Sequence, residues 1–95
     1  MSKYEIKDEK DFYKAILSLE TIEECKNFFD DICTIQEVEA ISQRLQVAKQ
    51  LSLGKSYTEV NKITGASTAT ICRVSKSLNY GDGGYNTVLD RILEE

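Results

Sequence analysis

The sequence predicts an all-α domain of six helices, and three observations carry that reading. Thr21 to Glu24, Thr34 to Glu37 and Ser56 to Glu59 each spell an S/T-x-x-E capping box, in which a hydroxyl and a carboxylate satisfy the amides that a helix start leaves unpaired. Apolar residues follow each box at helical spacing, and no segment shows the two-residue alternation of a half-buried strand. The 95 residues, 41% apolar and 29% charged with no proline, read as one small module spanning 1–95. A chain this short hides only about 60–65% of the surface it exposes when unfolded, so a second subunit is an expected source of further burial.

Taken in order, Asp8 can cap a first helix whose Phe12, Ala15, Ile16 and Leu19 share a stripe. The helix from Thr21 carries Ile22, Cys25, Phe28, Phe29 and Ile32. From Thr34 a longer helix of about five turns aligns Val38, Ile41, Leu45, Ala48 and Leu51 before Gly54, a residue suited to the left-handed position past a helix end. Ser56 opens a short helix with Val60 and Ile63 inward, stopped by Gly65. Helical spacing resumes from Ala66 to Leu78 with Ile71, Val74 and Leu78 as its core stripe. Asn79 to Gly84 is glycine-rich and reads as a turn, with a phosphate cradle as the weaker alternative. Tyr85, Val88, Leu89, Ile92 and Leu93 form the apolar face of a last helix.

The chain contains no histidine. That excludes Ser-His-Asp and Cys-His catalysis and zinc sites built on imidazole. Neither a G-x-x-x-x-G-K-[ST] nor a G-x-G-x-x-G string occurs. The sixteen acids sit in patterns of solvated helix faces, such as Glu23 with Glu24 and Asp30 with Asp31. The expectation is therefore a protein that is not an enzyme and uses no metal or cofactor. The apolar runs fall far short of the roughly 20 residues needed to cross a bilayer, and the charged N-terminal stretch lacks the apolar core of a signal peptide. A cytoplasmic location is expected. Cys25, Cys33 and Cys72, odd in number and without C-x-x-C spacing, fit reduced thiols buried as small apolar residues.

The net charge of −4 conceals a segregation. Residues 1–40 hold 5 Lys against 11 acids, a net −6. Residues 41–80 hold Arg44, Lys49, Lys55, Lys62, Arg73 and Lys76 against Glu59 alone, a net +5. Residues 81–95 set Arg91 against Asp82, Asp90, Glu94 and Glu95, a net −3. The basic middle would attract a polyanion if the fold gathers it on one surface. Within it, residues 56–78 have the layout of a helix-turn-helix: a short capped helix, a tight turn at Gly65-Ala66-Ser67, and a second helix of about three turns. Ser67, Thr68, Thr70, Arg73 and Lys76 then face outward without one acid, with Ala69 and Cys72 partly exposed. Hydroxyls and small methyls at a helix start can reach base edges, and cations further along meet phosphates.

The segment from Thr34 to Leu78 resembles the Trp repressor superfamily, and the whole chain is similar to its YerC/YecD branch. The resemblance rests on Gly65-Ala66, Ala69-Thr70-Ile71 with Arg73, Ser75 and Ser77-Leu78, then Leu78-Asn79-Tyr80-Gly81 with Gly84-Tyr85. It implies an intertwined all-helical homodimer, with a dimerisation core at 8–53 and 84–95 and the helix-turn-helix of 56–78 protruding as a reading head on double-stranded DNA. The function it implies is transcriptional regulation, as a repressor. It assigns base contact to Thr68, Ala69, Thr70 and Cys72; beside them the residues themselves offer Ser67, Arg73 and Lys76 on the same helix and Lys55, Ser56 and Tyr57 at the start of the preceding one, where a cation and a helix end can hold a phosphate. The family's effector positions correspond to Thr34, Arg44, Arg73 and Ser77. Val74 stands where the repressor has a glycine against which the indole of its tryptophan corepressor packs, so its added methyls argue against that ligand. Two other readings remain open: a helical dimer that binds proteins rather than DNA, and a sensor in which Arg44 and Arg73 hold another amino-acid-type carboxylate.

Overall fold

The computed structural model describes residues 5–93. Six helices follow one another: α1 (Glu9–Leu17), α2 (Ile22–Ile32), α3 (Ile35–Ser52), α4 (Tyr57–Thr64), α5 (Thr68–Tyr80) and α6 (Gly84–Ile92). No strand occurs among the described residues. The dimerisation range read from the sequence ends at residue 95, and its last two residues lie outside the described ones. The chain divides into two compact units between Val38 and Glu39.

In the first unit the helix starts follow their capping residues. Thr21 Oγ1 accepts from Glu24 N at 3.0 Å, while Glu24 Oε1 accepts from Glu20 N at 2.9 Å, one residue earlier than a reciprocal box requires. Thr34 and Glu37 close the full box, at 2.8 and 3.1 Å. Asp8 behaves differently from expectation. It precedes α1 in a left-handed conformation (φ 62°) and its side chain makes no capping bond. Leu19 falls beyond the helix, because α1 ends at Leu17 and Ser18 Oγ donates to Ala15 O at 2.6 Å, yet it is half-buried as Ala15 and Ile16 are. Phe12 and Phe28 bring their rings to 6.4 Å, and Phe28 meets Phe29 edge-on at 5.5 Å. Yet α1 and α2 contain no fully buried residue, and Ile22 is 90% exposed.

The second unit has a true core: Val47, Ala48, Val60, Ala66, Ile71, Val74 and Leu89, with Leu45, Leu51, Leu78 and Tyr85 packed against it. Burying each of its large aliphatic side chains is worth about 1.5–3 kcal/mol. The predicted stripe of α5 is correct at Ile71, Val74 and Leu78. On α3 the expected Ala48 is buried and Leu45 and Leu51 pack against the core, Val47 joins them, and Ile41 alone of the stripe is exposed. Ile63 is a correction: it is 55% exposed, whereas Ala66 of the turn is fully buried in the core. In the short α4, Val60 and Thr64 form the inward line at i and i+4, which turns Ile63 aside. The cysteines are a second correction. Cys25 and Cys72 are exposed, on helix sides that the protomer leaves uncovered, and Cys33, just past the end of α2, is half-buried. On α6 only Leu89 is fully buried, leaving Val88, Ile92 and Leu93 open.

Candidate nucleic-acid interface

The geometry of the α4–α5 pair begins with its caps. Ser56 Oγ accepts from Glu59 N at 3.2 Å and Ser56 N donates to Glu59 Oε1 at 3.0 Å, which fixes the first turn of α4. The backbone amide of Ser56, then its hydroxyl, and then the charge of Lys55 hold the Glu59 carboxyl below the ordinary glutamate range. At the other end Gly65 adopts φ 74°, which a glycine reaches without strain. Ser67 then starts α5 by accepting from Thr70 N at 3.2 Å.

The turn itself is closed by side chains. Gly65 N donates to Asn61 O at 2.8 Å, Asn61 Nδ2 donates to Ala66 O at 2.8 Å, and Ala66 N donates to Thr64 Oγ1 at 3.2 Å. Thr64 Oγ1 donates to Val60 O at 2.7 Å. From α3, Gln43 Nε2 donates to Thr64 O at 3.2 Å. Backbone polar groups at a turn that meets the core need such partners.

With Ile71, Val74 and Leu78 held inward, the 3.6-residue repeat sends Thr68, Ala69, Cys72, Arg73 and Lys76 to the opposite side of α5, and all five are exposed. Thr70 sits at the edge, half-buried, its hydroxyl accepting from Ser67 Oγ at 3.1 Å. Ser67 is exposed, and Lys55, Ser56 and Tyr57 are exposed at the start of α4. Among the described residues the only ion pair is Lys26 with Asp30; Arg73, Lys76 and Lys62 on α4 and α5 therefore make none, and neither does Lys55, although its charge reaches the Glu59 carboxyl. The hydroxyls of Ser56 and Ser67 are already engaged by their own helices, leaving Thr68 as the hydroxyl at the start of α5 that makes no bond among the described residues.

Arg44 and Ser77 line one open groove of about 700 Å³, together with Ile41, Leu45, Asp82 and Tyr85. Arg73 is not among its lining residues, and the Thr34 hydroxyl is occupied in capping α3. Val74, 1% exposed, belongs to the core rather than to the groove. Sequence reasoning missed Asp82 and Tyr85 as groove residues, and Gln43 as a partner of the turn. Asp82 lay in a glycine-rich stretch whose course could not be read locally, and nothing in the sequence marks a backbone carbonyl 21 residues away as a partner for Gln43. No helix among the described residues is long and apolar enough to cross a membrane, and no group of three or more candidate ligand side chains among them could hold a metal.

A family model described as Trp repressor protein matches residues 7–93. The uncharacterized protein YerC of Bacillus subtilis (strain 168) is 51% identical over 82 residues, which are 86% of this chain and 79% of that protein. Two solved structures share the fold. A provisionally assigned Trp repressor from Staphylococcus aureus superposes with a TM-score of 0.85 at 45% identity, covering 96% of this chain and 98% of its own. A TrpR-like protein from Eubacterium eligens ATCC 27750 gives a TM-score of 0.85 at 48% identity, covering 87% and 86%.

Proposed function

We propose that this chain, which belongs to the Trp repressor family, is a homodimeric, sequence-specific regulator of transcription that sets α5 of each protomer into the major groove of double-stranded DNA. One observation supports this above others: the exposed side of α5 carries Thr68, Ala69, Cys72, Arg73 and Lys76 with no acid among them, opposite a face anchored in the core. Small hydroxyl and methyl groups at the start of the helix suit base edges, and the two cations further along suit phosphates. Lys55 and the amides at the start of α4 suit a further phosphate. Repression is the expected direction of control, and the work belongs in the cytoplasm, beside the DNA.

Burial supports the dimer. A protomer that leaves Leu17, Ile22, Ile32, Ile35, Val88, Ile92 and Leu93 open to water needs a partner for these surfaces. A second copy also raises the effective concentration of the second reading helix, which compensates for the few cations on each.

Titration of the full chain against duplex DNA at several salt concentrations tests the reading. Affinity that falls steeply with salt and prefers duplex to single strand supports it; binding to neither favours a protein-interaction dimer. The groove favours one additional property compatible with the first. Arg44 and Asp82 beside Tyr85 and Leu45 offer opposite charges and an apolar wall to a small amino-acid-type ligand, and calorimetry against amino acids tests that.

A further inference from the structure

The apolar core joins α3, α4, α5 and α6 through Val47, Ala48, Val60, Ala66, Ile71, Val74 and Leu89. Such contacts hold the helices together through a driving force that is not itself directional. Hydrogen bonds are directional. In the turn, the amides of Gly65 and Ala66 and the carbonyl of Ala66 are paired by Asn61 and Thr64, all within α4 and the turn itself. The carbonyl of Thr64 is different. Its partner is Gln43 Nε2, 3.2 Å away and half-buried, and among the described residues this is the only side-chain hydrogen bond that reaches the turn from another helix.

We propose that Gln43 is a positioning residue for the reading head: its bond to the Thr64 carbonyl fixes the direction in which α5 projects from α3. The inference rests on the reading of α5 as the DNA-contacting helix, and it adds a residue that touches no DNA. Gln43 lies on α3, one residue from Arg44 of the groove. Losing its donor leaves the Thr64 carbonyl without its partner and frees the turn to rock while the core stays intact. Two reading helices must meet grooves at a fixed spacing, so a small loss of alignment penalises specific complexes more than non-specific ones, which depend on charge.

The experiment compares the full wild-type chain with Gln43→Met, which keeps length and apolar packing but removes the donor, and Gln43→Lys, which restores a donor of similar reach. Backbone 15N relaxation reads the mobility of amides from Asn61 to Thr70, and competition binding reads the ratio of specific to non-specific DNA affinity. In Gln43→Met those amides are expected to gain motion relative to α3. The ratio is expected to drop about five- to tenfold, the scale of one lost hydrogen bond, with the salt slope unchanged. Gln43→Lys is expected to return the relaxation to the wild-type pattern. Wild-type relaxation and ratio in Gln43→Met overturn the proposal, as does a general loss of thermal stability that Gln43→Lys does not restore. Absence of any specific binding by the wild type overturns the DNA reading instead, and the relaxation comparison still decides whether Gln43 holds the turn.

Discussion

Ser56 and Glu59 cap α4 reciprocally, the amide of each donating to the side chain of the other at 3.0 and 3.2 Å. The Ser56 amide bonds more strongly to the ionised carboxylate than to the protonated acid, which is why the pKa of Glu59 is lowered on folding. A folded pKa below the unfolded one contributes stability that is fully present above the ordinary glutamate value, about 4.3, and is lost as pH falls through the lowered folded value. Acid unfolding followed by circular dichroism is expected to show this loss in the wild type. Glu59→Gln is expected to be less stable at neutral pH and to lack that part of the acid dependence.

Two glycines of the second unit are required for different reasons. Gly65 sits at φ 74° with open space where a side chain would go, so Gly65→Ala meets only backbone strain, about 1 kcal/mol. Gly81 has an ordinary φ, but an added methyl would collide with the backbone carbonyl oxygen of Ser77. Gly81→Ala is expected to cost about 2–3 kcal/mol, because that clash can be relieved only by moving the end of α5. Each kcal/mol corresponds to about 4–8 °C in a domain of this size. Thermal melts of the two variants should therefore differ, with Gly81→Ala the lower.

Burial separates Val74 from Ile63 although both were expected inside. Val74→Ala removes methyls from a closed core and is expected to destabilise by about 2 kcal/mol. Ile63→Ala changes an exposed side chain and is expected to stay within about 0.5 kcal/mol. Urea titration checks both values.

On α5, Arg73→Ala is expected to weaken binding to all duplex sequences and to reduce the salt slope by about one. Thr68→Val, at the start of the helix, is expected to change which sequence is preferred while leaving the slope unaltered. Binding isotherms at three or more salt concentrations, on a preferred duplex and an unrelated one, read both effects.

Much of the fold could be read from local chemistry. The boxes at Thr34 and Ser56 fall where α3 and α4 begin, and Gly54, Gly65 and Gly83 take the left-handed conformation near helix ends. The stripe of α5 was equally plain, since three core contacts at i, i+3 and i+7 leave no choice of face. The outward residues of the candidate interface follow from that stripe. Ile63 misled because α4 has eight residues, too few for periodicity to choose between two adjacent inward lines. The cysteines misled because small apolar side chains signal burial only where something covers them, and in this protomer Cys25 and Cys72 lie uncovered. Gln43 and Asp82 were illegible because their roles depend on where distant backbone comes to lie.

The central claim is that two copies of α5 read DNA together, and selection of bound fragments from a pool of random duplexes by the wild-type chain tests it most directly. The account predicts enrichment of a palindromic site whose half-sites lie one helical turn apart, about 34 Å between centres. Recovery of an unenriched pool at low salt would contradict it.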